Sequence, residues 1–170
     1  AGIADIDALD VLLIPGGQGT RREVENEALL AWIAKVSGGC EWVTSVCTGA
    51  LLLCAAGPGK SRRVTTHWGF IEALRERGEA AKVLEEVRYV RDCNVVTAAG
   101  VSAGIDGALF LARLIAGEEI AKTIQLGIEY YPHPPFSYAS PDDVPESIHN
   151  TIRAAEETGL LEQMETTQPC

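Results

Sequence analysis

Residues that build metal sites, disulfides and nucleic-acid interfaces are scarce in this sequence. Its three histidines and five cysteines include no Cys-x-x-Cys pair and lack the spacing of zinc ligands. We therefore predict no metal and no disulfide framework, with reduced thiols as in a cytoplasmic protein. Basic residues are also few: 14 Lys and Arg against 24 Asp and Glu give a net charge of −10, which argues against nucleic acid and anionic membranes as partners. No apolar run approaches the roughly 20 residues that a membrane-spanning helix needs.

The composition that is present is that of a globular domain. Hydrophobic residues make up 46% of the 170 residues and charged residues 22%, which is enough apolar material for a substantial core. No linker, repeat or low-complexity segment divides the chain, so we predict a single domain over residues 1–170. The chain opens on Ala1-Gly2-Ile3, directly before a predicted strand, and we expect that an N-terminal strand–helix portion is missing from it.

Short apolar runs alternate with segments of helical periodicity. Leu9–Ile14 is a nearly continuous apolar run closed by Pro15-Gly16-Gly17, which is typical of a strand buried on both faces of a parallel sheet. Further strands are predicted at 41–46, 63–67, 83–90 and 94–97, the last two as a hairpin, and helices at 23–36, 68–77, 102–116, 118–128 and 143–164, with one more ending near residue 56. This alternation predicts an α/β fold with a mostly parallel central sheet.

The segment 43–53 carries the strongest chemical signal. Its β-branched run ends at Cys47, and a leucine-rich helix begins directly after Cys47-Thr48-Gly49. A strand that turns sharply into a helix exposes the turn residue at the carboxyl edge of the sheet, beside the positive end of the helix. A thiol there is favoured as the reactive thiolate, which predicts Cys47 as a nucleophile on an elbow. The other cysteines lack this context and serve as its controls: Cys40, Cys54, Cys93 and Cys170.

Two other segments are expected to meet Cys47, because ligands of open α/β sheets bind where parallel strands end. After the first strand, Gly16 is predicted to contact substrate, and the amide of Gly17 is predicted to form an oxyanion hole with the amide of Thr48. After the third, His67 is predicted to orient Cys47 or share its proton, and Trp68 to wall the pocket. Structural alternatives remain: a plain turn for the glycines, a backbone hydrogen bond for the histidine, the core for the tryptophan and helix capping for the Thr48 hydroxyl.

Asp106 is a further polar candidate, on a predicted helix and among the small residues of 100–106. A lone carboxylate on a helix is usually solvated or paired with a neighbouring side chain. Both that role and a direct chemical one stay open for Asp106 from the sequence.

Taken together, these segments resemble the DJ-1/PfpI superfamily, from about Leu9 to Ser140. The likeness is carried by Leu-Leu-Ile-Pro-Gly-Gly at 12–17, Ser-Val-Cys-Thr-Gly-Ala at 45–50, Arg-Val-Thr-Thr-His-Trp at 63–68, Thr-Ala-Ala-Gly-Val-Ser-Ala-Gly-Ile-Asp at 97–106 and Gly-Ile-Glu-Tyr at 127–130. Within the superfamily the sequence is most similar to the isonitrile hydratase branch, in which a threonine follows the nucleophile.

The resemblance implies a flavodoxin-like three-layer sandwich, usually a homodimer, with Cys47 as the nucleophile and no cofactor. It implies a hydratase or lyase that acts on a small molecule: the cysteine attacks the terminal carbon of an isocyanide, a carboxylate handles the proton, and water releases an N-substituted formamide. The family's carboxylate comes from its first strand–helix region, which has no counterpart before Leu9 in this sequence.

Two other functions are compatible with the same motifs. Similar domains form the ligand-sensing half of AraC-like transcription regulators, which continue into a basic helix-turn-helix region, whereas this sequence ends at Gln168-Pro169-Cys170 after an acidic helix. Alternatively, Cys47 is oxidised reversibly in a redox-responsive or glyoxalase-like protective protein of DJ-1 type.

Overall fold

The computed structural model describes residues 2–158 except 137 and 139. Its contacts divide the chain into two compact units, Ala1–Tyr131 and Pro132–Cys170. Every predicted site residue lies in the first unit. In the second unit, the described residues include the 3-10 helix Pro141–Asp143 and one α-helix, and the predicted end of that α-helix near residue 164 lies outside the described residues.

Six strands lie in the first unit: β1 (Val11–Ile14), β2 (Trp42–Val46), β3 (Arg63–Val64), β4 (Lys82–Val83), β5 (Tyr89–Asp92) and β6 (Val95–Ala98). Four of them form the main sheet in the order β1-β2-β6-β5. β1, β2 and β6 are parallel, and β5 is antiparallel to β6 as the second arm of a hairpin. The prediction of a mostly parallel sheet with one hairpin is confirmed, but the strand predicted at 83–90 is divided between β4 and β5, which belong to different sheets.

The helices are α1 (Thr20–Glu23), α2 (Glu27–Ser37), α3 (Gly49–Ala56), α4 (Ile71–Glu76), α5 (Val101–Ala116), α6 (Glu118–Gly127) and, in the second unit, α7 (Glu146–Thr158). The helix predicted at 23–36 begins later, as α2 at Glu27, and the preceding α1 already ends at Glu23. Asn26 caps α2, because its side chain accepts a hydrogen bond of 3.1 Å from the amide of Leu29.

Helices cover both faces of the main sheet. On one face, α2 and α3 pack against each other, and their apolar residues share a core with Ile14, Val43 and Val95. On the other face lies α5, where a Cβ on Gly107 would stand 3.2 Å from the Cβ of Ala98. Val95 and Ala98 are three residues apart on one strand, so they point to opposite faces. The first unit therefore has the three-layer, flavodoxin-like arrangement that the sequence predicts.

The third predicted strand differs from the prediction. Only Arg63–Val64 is extended in a ladder, and it pairs with β4 in a separate two-stranded sheet. Beyond Val64 the chain is held by side chains instead, because the Thr65 amide donates to the Thr97 hydroxyl at 2.8 Å and the Thr65 hydroxyl donates to the Leu84 carbonyl at 2.8 Å. The residues that follow still reach the carboxyl edge of the main sheet.

Candidate active site

Cys47 occupies a strained turn between β2 and α3. Its φ is +57°, in the left-handed region that residues with a Cβ rarely adopt. Its amide donates to the carbonyl of Ala98 at 3.0 Å, and its carbonyl accepts from the hydroxyl of Thr66 at 2.9 Å. The side chain is only half-buried, so the thiol is held at the carboxyl end of β2 with access from solvent.

Two glycines allow the chain to pass this close to the turn. A Cβ on Gly16 would lie 2.7 Å from the Cβ of Cys47 and 2.8 Å from the amide nitrogen of Thr48. A Cβ on Gly49 would overlap the carbonyl oxygen of Ile14. Only glycine fits at either position. Gly16 is therefore required by this close packing and not only by a turn, and the end of β1 lies directly against the Cys47 turn.

The Thr48 hydroxyl is bound within the site. It accepts a hydrogen bond of 3.0 Å from the Gly17 amide and lies 2.9 Å from the hydroxyl of Thr20. It makes no hydrogen bond that caps α3, so the capping alternative is wrong. The Gly17 amide, which the sequence predicts in an oxyanion hole, is directed at the Thr48 hydroxyl in this structure. The Thr48 amide is at the N-terminus of α3, where amides have no partner within the helix.

His67 and Trp68 lie where the 65–68 segment reaches this edge. His67 opens the 3-10 turn Trp68–Phe70, and its Nδ1 accepts a hydrogen bond of 3.3 Å from the Gly69 amide. The backbone bond that the sequence left as an alternative is therefore present, and it uses one of the two ring nitrogens. The ring centroids of His67 and Trp68 are 5.4 Å apart, and both side chains are half-buried. Since the preceding residue, Thr66, donates to the Cys47 carbonyl, this segment adjoins the backbone of the Cys47 turn.

Thr20 and Thr66 are site residues that sequence reasoning missed. Both side chains are buried, with 5% and 1% of their surface exposed. Each hydroxyl binds a different part of the turn: Thr20 contacts Thr48 and the Gly17 carbonyl, and Thr66 contacts the Cys47 carbonyl. The available signal was the position of each threonine shortly after a strand that ends at this edge.

Asp106 belongs to a separate cluster on α5. It forms an ion pair with Arg88 and accepts a hydrogen bond of 3.0 Å from the hydroxyl of Tyr130. The Asp106 carboxylate raises the pKa of Arg88 above its usual range through the hydrogen bond and charge of this pair. This is the paired role that the sequence left open for Asp106.

The control cysteines have different surroundings. Burial raises the pKa of the Cys54 thiol to about 12, and burial together with the charge of Asp10 raises the pKa of Cys40. Cys93 is exposed and follows Asp92 in the turn between β5 and β6. Cys170 lies outside the described residues. Cys54 and Cys40 are thus kept protonated, and Cys93 is the accessible thiol against which Cys47 is best compared.

Over the described part of the chain, no three His, Cys, Asp or Glu side chains come together as a metal site would need. None of the described helices is both long and apolar enough to cross a membrane.

The fold is shared with known proteins. A model of the DJ-1/PfpI family matches residues 2–114. The isonitrile hydratase of Pseudomonas putida is 40% identical over 164 residues, which are 96% of this chain and 71% of the hydratase. The HTH-type transcriptional regulator CdhR of Pseudomonas aeruginosa is 31% identical over 112 residues, which are 66% of this chain and 33% of the regulator. A crystal structure of a THiJ/PfpI family protein from Pseudomonas syringae matches with a TM-score of 0.79 at 35% identity, over 88% of this chain and 61% of that one.

Proposed function

Since the chain belongs to the DJ-1/PfpI family, we propose that it is a cysteine-dependent hydratase. It adds water to a small isocyanide and releases an N-substituted formamide, with Cys47 as the nucleophile. The identity of 40% to an isonitrile hydratase supports the substrate class. The observation that carries the proposal is the turn itself, where a half-exposed cysteine at φ +57° stands between a parallel strand and a helix N-terminus. Cys93 has a similar φ of +53° between β5 and β6, so it is the position between a parallel strand and a helix N-terminus that distinguishes Cys47.

The proposed reaction has two steps. The Cys47 sulfur attacks the terminal carbon of R–N≡C, and the proton that left the thiol is delivered to that carbon, which gives the thioimidate Cys47–S–CH=N–R. Water then adds across the C=N bond, with its oxygen on carbon and one proton on nitrogen. The C–S bond of this adduct breaks, R–NH–CHO leaves, and the remaining proton returns to the Cys47 sulfur.

Each site residue has a proposed part in these steps. The Thr48 amide, at the N-terminus of α3, stabilises negative charge as it develops on the reacting group. The Gly17 amide orients the Thr48 hydroxyl at 3.0 Å and joins the oxyanion site if the bound substrate displaces that hydroxyl. His67 carries the proton between the thiol and the substrate carbon. The absent side chain of Gly16 leaves room beside Cys47, and Trp68 forms an apolar wall for an uncharged substrate.

A ligand-sensing domain is the second candidate. The match to the regulator CdhR covers 112 residues, which are 66% of this chain. A sensor would bind a small molecule near Cys47 without turnover.

A homodimer is a proposal for either function, and light scattering after size-exclusion chromatography tests it.

Thiol labelling and turnover together test the enzyme proposal. Iodoacetamide at pH 6 should modify Cys47 faster than Cys93, although Cys93 is the more exposed thiol. Fragmentation mass spectrometry assigns the label to individual cysteines. Incubation with n-butyl isocyanide should yield N-butylformamide, and Cys47→Ser should abolish it while Cys93→Ser leaves it unchanged. Labelling of Cys47 no faster than Cys93, together with no formamide, would refute the hydratase. Binding of a small molecule without turnover would support the sensor.

A further inference from the structure

We propose that Thr66 is a positioning residue, whose hydroxyl orients the peptide between Cys47 and Thr48 for the reaction. The role of Thr66 in a reaction rests on the proposed function, whereas the orientation of the peptide is inferred from hydrogen bonds alone. The Thr66 hydroxyl donates to the Cys47 carbonyl at 2.9 Å, and only 1% of the residue's surface is exposed. A second donor to that carbonyl, the Ala50 amide, is 3.3 Å away. Of these two bonds, the one from Thr66 is the shorter.

The planarity of the peptide bond extends this effect to the Thr48 amide. In a trans peptide the C=O and N–H groups point in opposite directions. A Cys47 carbonyl directed at Thr66 therefore turns the Thr48 N–H away from Thr66. Gly16, whose Cβ would stand 2.8 Å from the Thr48 nitrogen, has no side chain to cover that amide. Thr66 and Gly16 thus act together, one by fixing the direction of the N–H and the other by leaving it uncovered.

The same bond also maintains the strained conformation of Cys47. Its amide is fixed by the Ala98 carbonyl at 3.0 Å, so the φ of +57° and the direction of the carbonyl are set from both sides of the residue. The backbone before Thr66 is held by the Thr65 amide, which donates to the Thr97 hydroxyl at 2.8 Å and keeps that bond when only the Thr65 side chain is changed. The peptide between Cys47 and Thr48 is therefore held by the buried hydroxyl of Thr66, which comes from another loop.

Thr65 provides the matched control. The residue has the same 1% exposure as Thr66, and its hydroxyl also donates to a carbonyl, which is that of Leu84 and not that of Cys47. We expect Thr66→Val to lower kcat for n-butyl isocyanide at least about tenfold at little changed KM. The pH at half-maximal alkylation of Cys47 should rise, because the rotated amide no longer stabilises the thiolate. Thr66→Ser, which keeps the hydroxyl, should restore kcat to within about threefold of the wild type and return the pH at half-maximal alkylation toward its wild-type position. Thr65→Val should lower the melting temperature without moving either readout.

The outcomes separate this proposal from the proposed function. Wild-type kcat and pH profile in Thr66→Val, or equal losses in Thr66→Val and Thr65→Val, would overturn the positioning role. If the valine variant does not fold, Thr66→Ala and Thr66→Ser, which differ only in the hydroxyl, provide the same comparison. If the wild-type protein makes no formamide, the hydratase fails. A rise in the pH of half-maximal alkylation that Thr66→Ser reverses would still support the role of Thr66.

Discussion

Replacement of Gly16 by alanine is the substitution for which the structure gives the clearest magnitude. The new methyl group would lie 2.7 Å from the Cys47 Cβ, 2.8 Å from the Thr48 nitrogen and 2.9 Å from the Val46 carbonyl oxygen. Carbon atoms in contact prefer separations of about 3.5–4.0 Å, so the β1 loop and the Cys47 turn must separate by about 1 Å. None of these neighbours is the end of a flexible side chain. The backbone itself therefore has to move, and the nucleophile moves with it.

Two measurable effects follow for Gly16→Ala. Overpacking of this kind lowers stability by about 1–3 kcal/mol, and each kcal/mol lowers the melting temperature of a protein of this size by about 2–4 °C. A displacement of about 1 Å at the reacting atoms lowers the rate by on the order of 100-fold. Thermal unfolding followed by circular dichroism measures the first effect. The rates of Cys47 alkylation and of formamide production at 20 °C, where both proteins are folded, measure the second.

Gly19→Ala is the matched control for this experiment. Gly19 has φ −57°, which alanine adopts without strain, and a Cβ there would meet nothing within 4 Å. Alanine at 19 should leave the reaction unchanged and raise stability by about 0.4–1 kcal/mol, because it restricts the unfolded chain. Wild-type alkylation and melting temperature in Gly16→Ala would refute the reasoning, since the close approach of β1 to the Cys47 turn would then have no consequence.

Two further predictions concern stability. The Ser45 hydroxyl is fully buried and has no hydrogen-bond partner among the described residues. Ser45→Ala should therefore raise the free energy of unfolding by up to about 1 kcal/mol, measured by thermal unfolding. A lower melting temperature would indicate a partner for that hydroxyl. The Arg63 amide donates to the Asp92 carboxylate at 3.0 Å and holds the pKa of Asp92 below its usual range. The ionised carboxylate therefore stabilises the fold above the ordinary pKa of aspartate. This stabilisation is lost as the pH falls through the pKa of Asp92 in the folded protein. Asp92→Asn should therefore melt below the wild type at pH 7 and approach it in acid, whereas a difference that is the same at every pH would contradict the assignment.

The parts of the fold that follow from local patterns were predictable from the sequence. The apolar run before Pro15-Gly16-Gly17 became β1, and the run ending at Cys47 became the buried strand β2. The prediction that the first strand is buried on both faces is wrong, because Val11 and Leu13 are exposed and only Leu12 and Ile14 are buried. The bounds of α5 and α6 are within one residue of the prediction at each end, since Gly117 at φ +90° separates them. The order of elements then brought Gly16, Cys47 and the 66–68 segment to one edge, as topology alone requires.

Segments that depend on distant partners were predicted less well. The run 63–67 has the β-branched composition of a strand, but Thr65 satisfies its amide with a side chain of β6 instead of a ladder partner. The helix predicted at 23–36 starts four residues later because Asn26 caps it, and the apolar Val24 before that cap conceals the true start. In both cases a hydroxyl or amide side chain replaces a backbone partner, and the hydrophobic pattern does not report such bonds.

The hydroxyl groups around Cys47 show why the site itself was only partly predictable. Thr20, Thr48 and Thr66 come from three segments, and threonines are unremarkable in any strand or turn. In the fold, Thr20 and Thr48 bind each other and the Gly17 backbone, while Thr66 binds the Cys47 carbonyl. The strained turn needs these bonds, because a residue at φ +57° persists only where its surroundings fix it. The chemistry of Cys47 was therefore apparent from its local sequence, whereas the groups that hold it in place follow from contacts between segments that only the fold brings together.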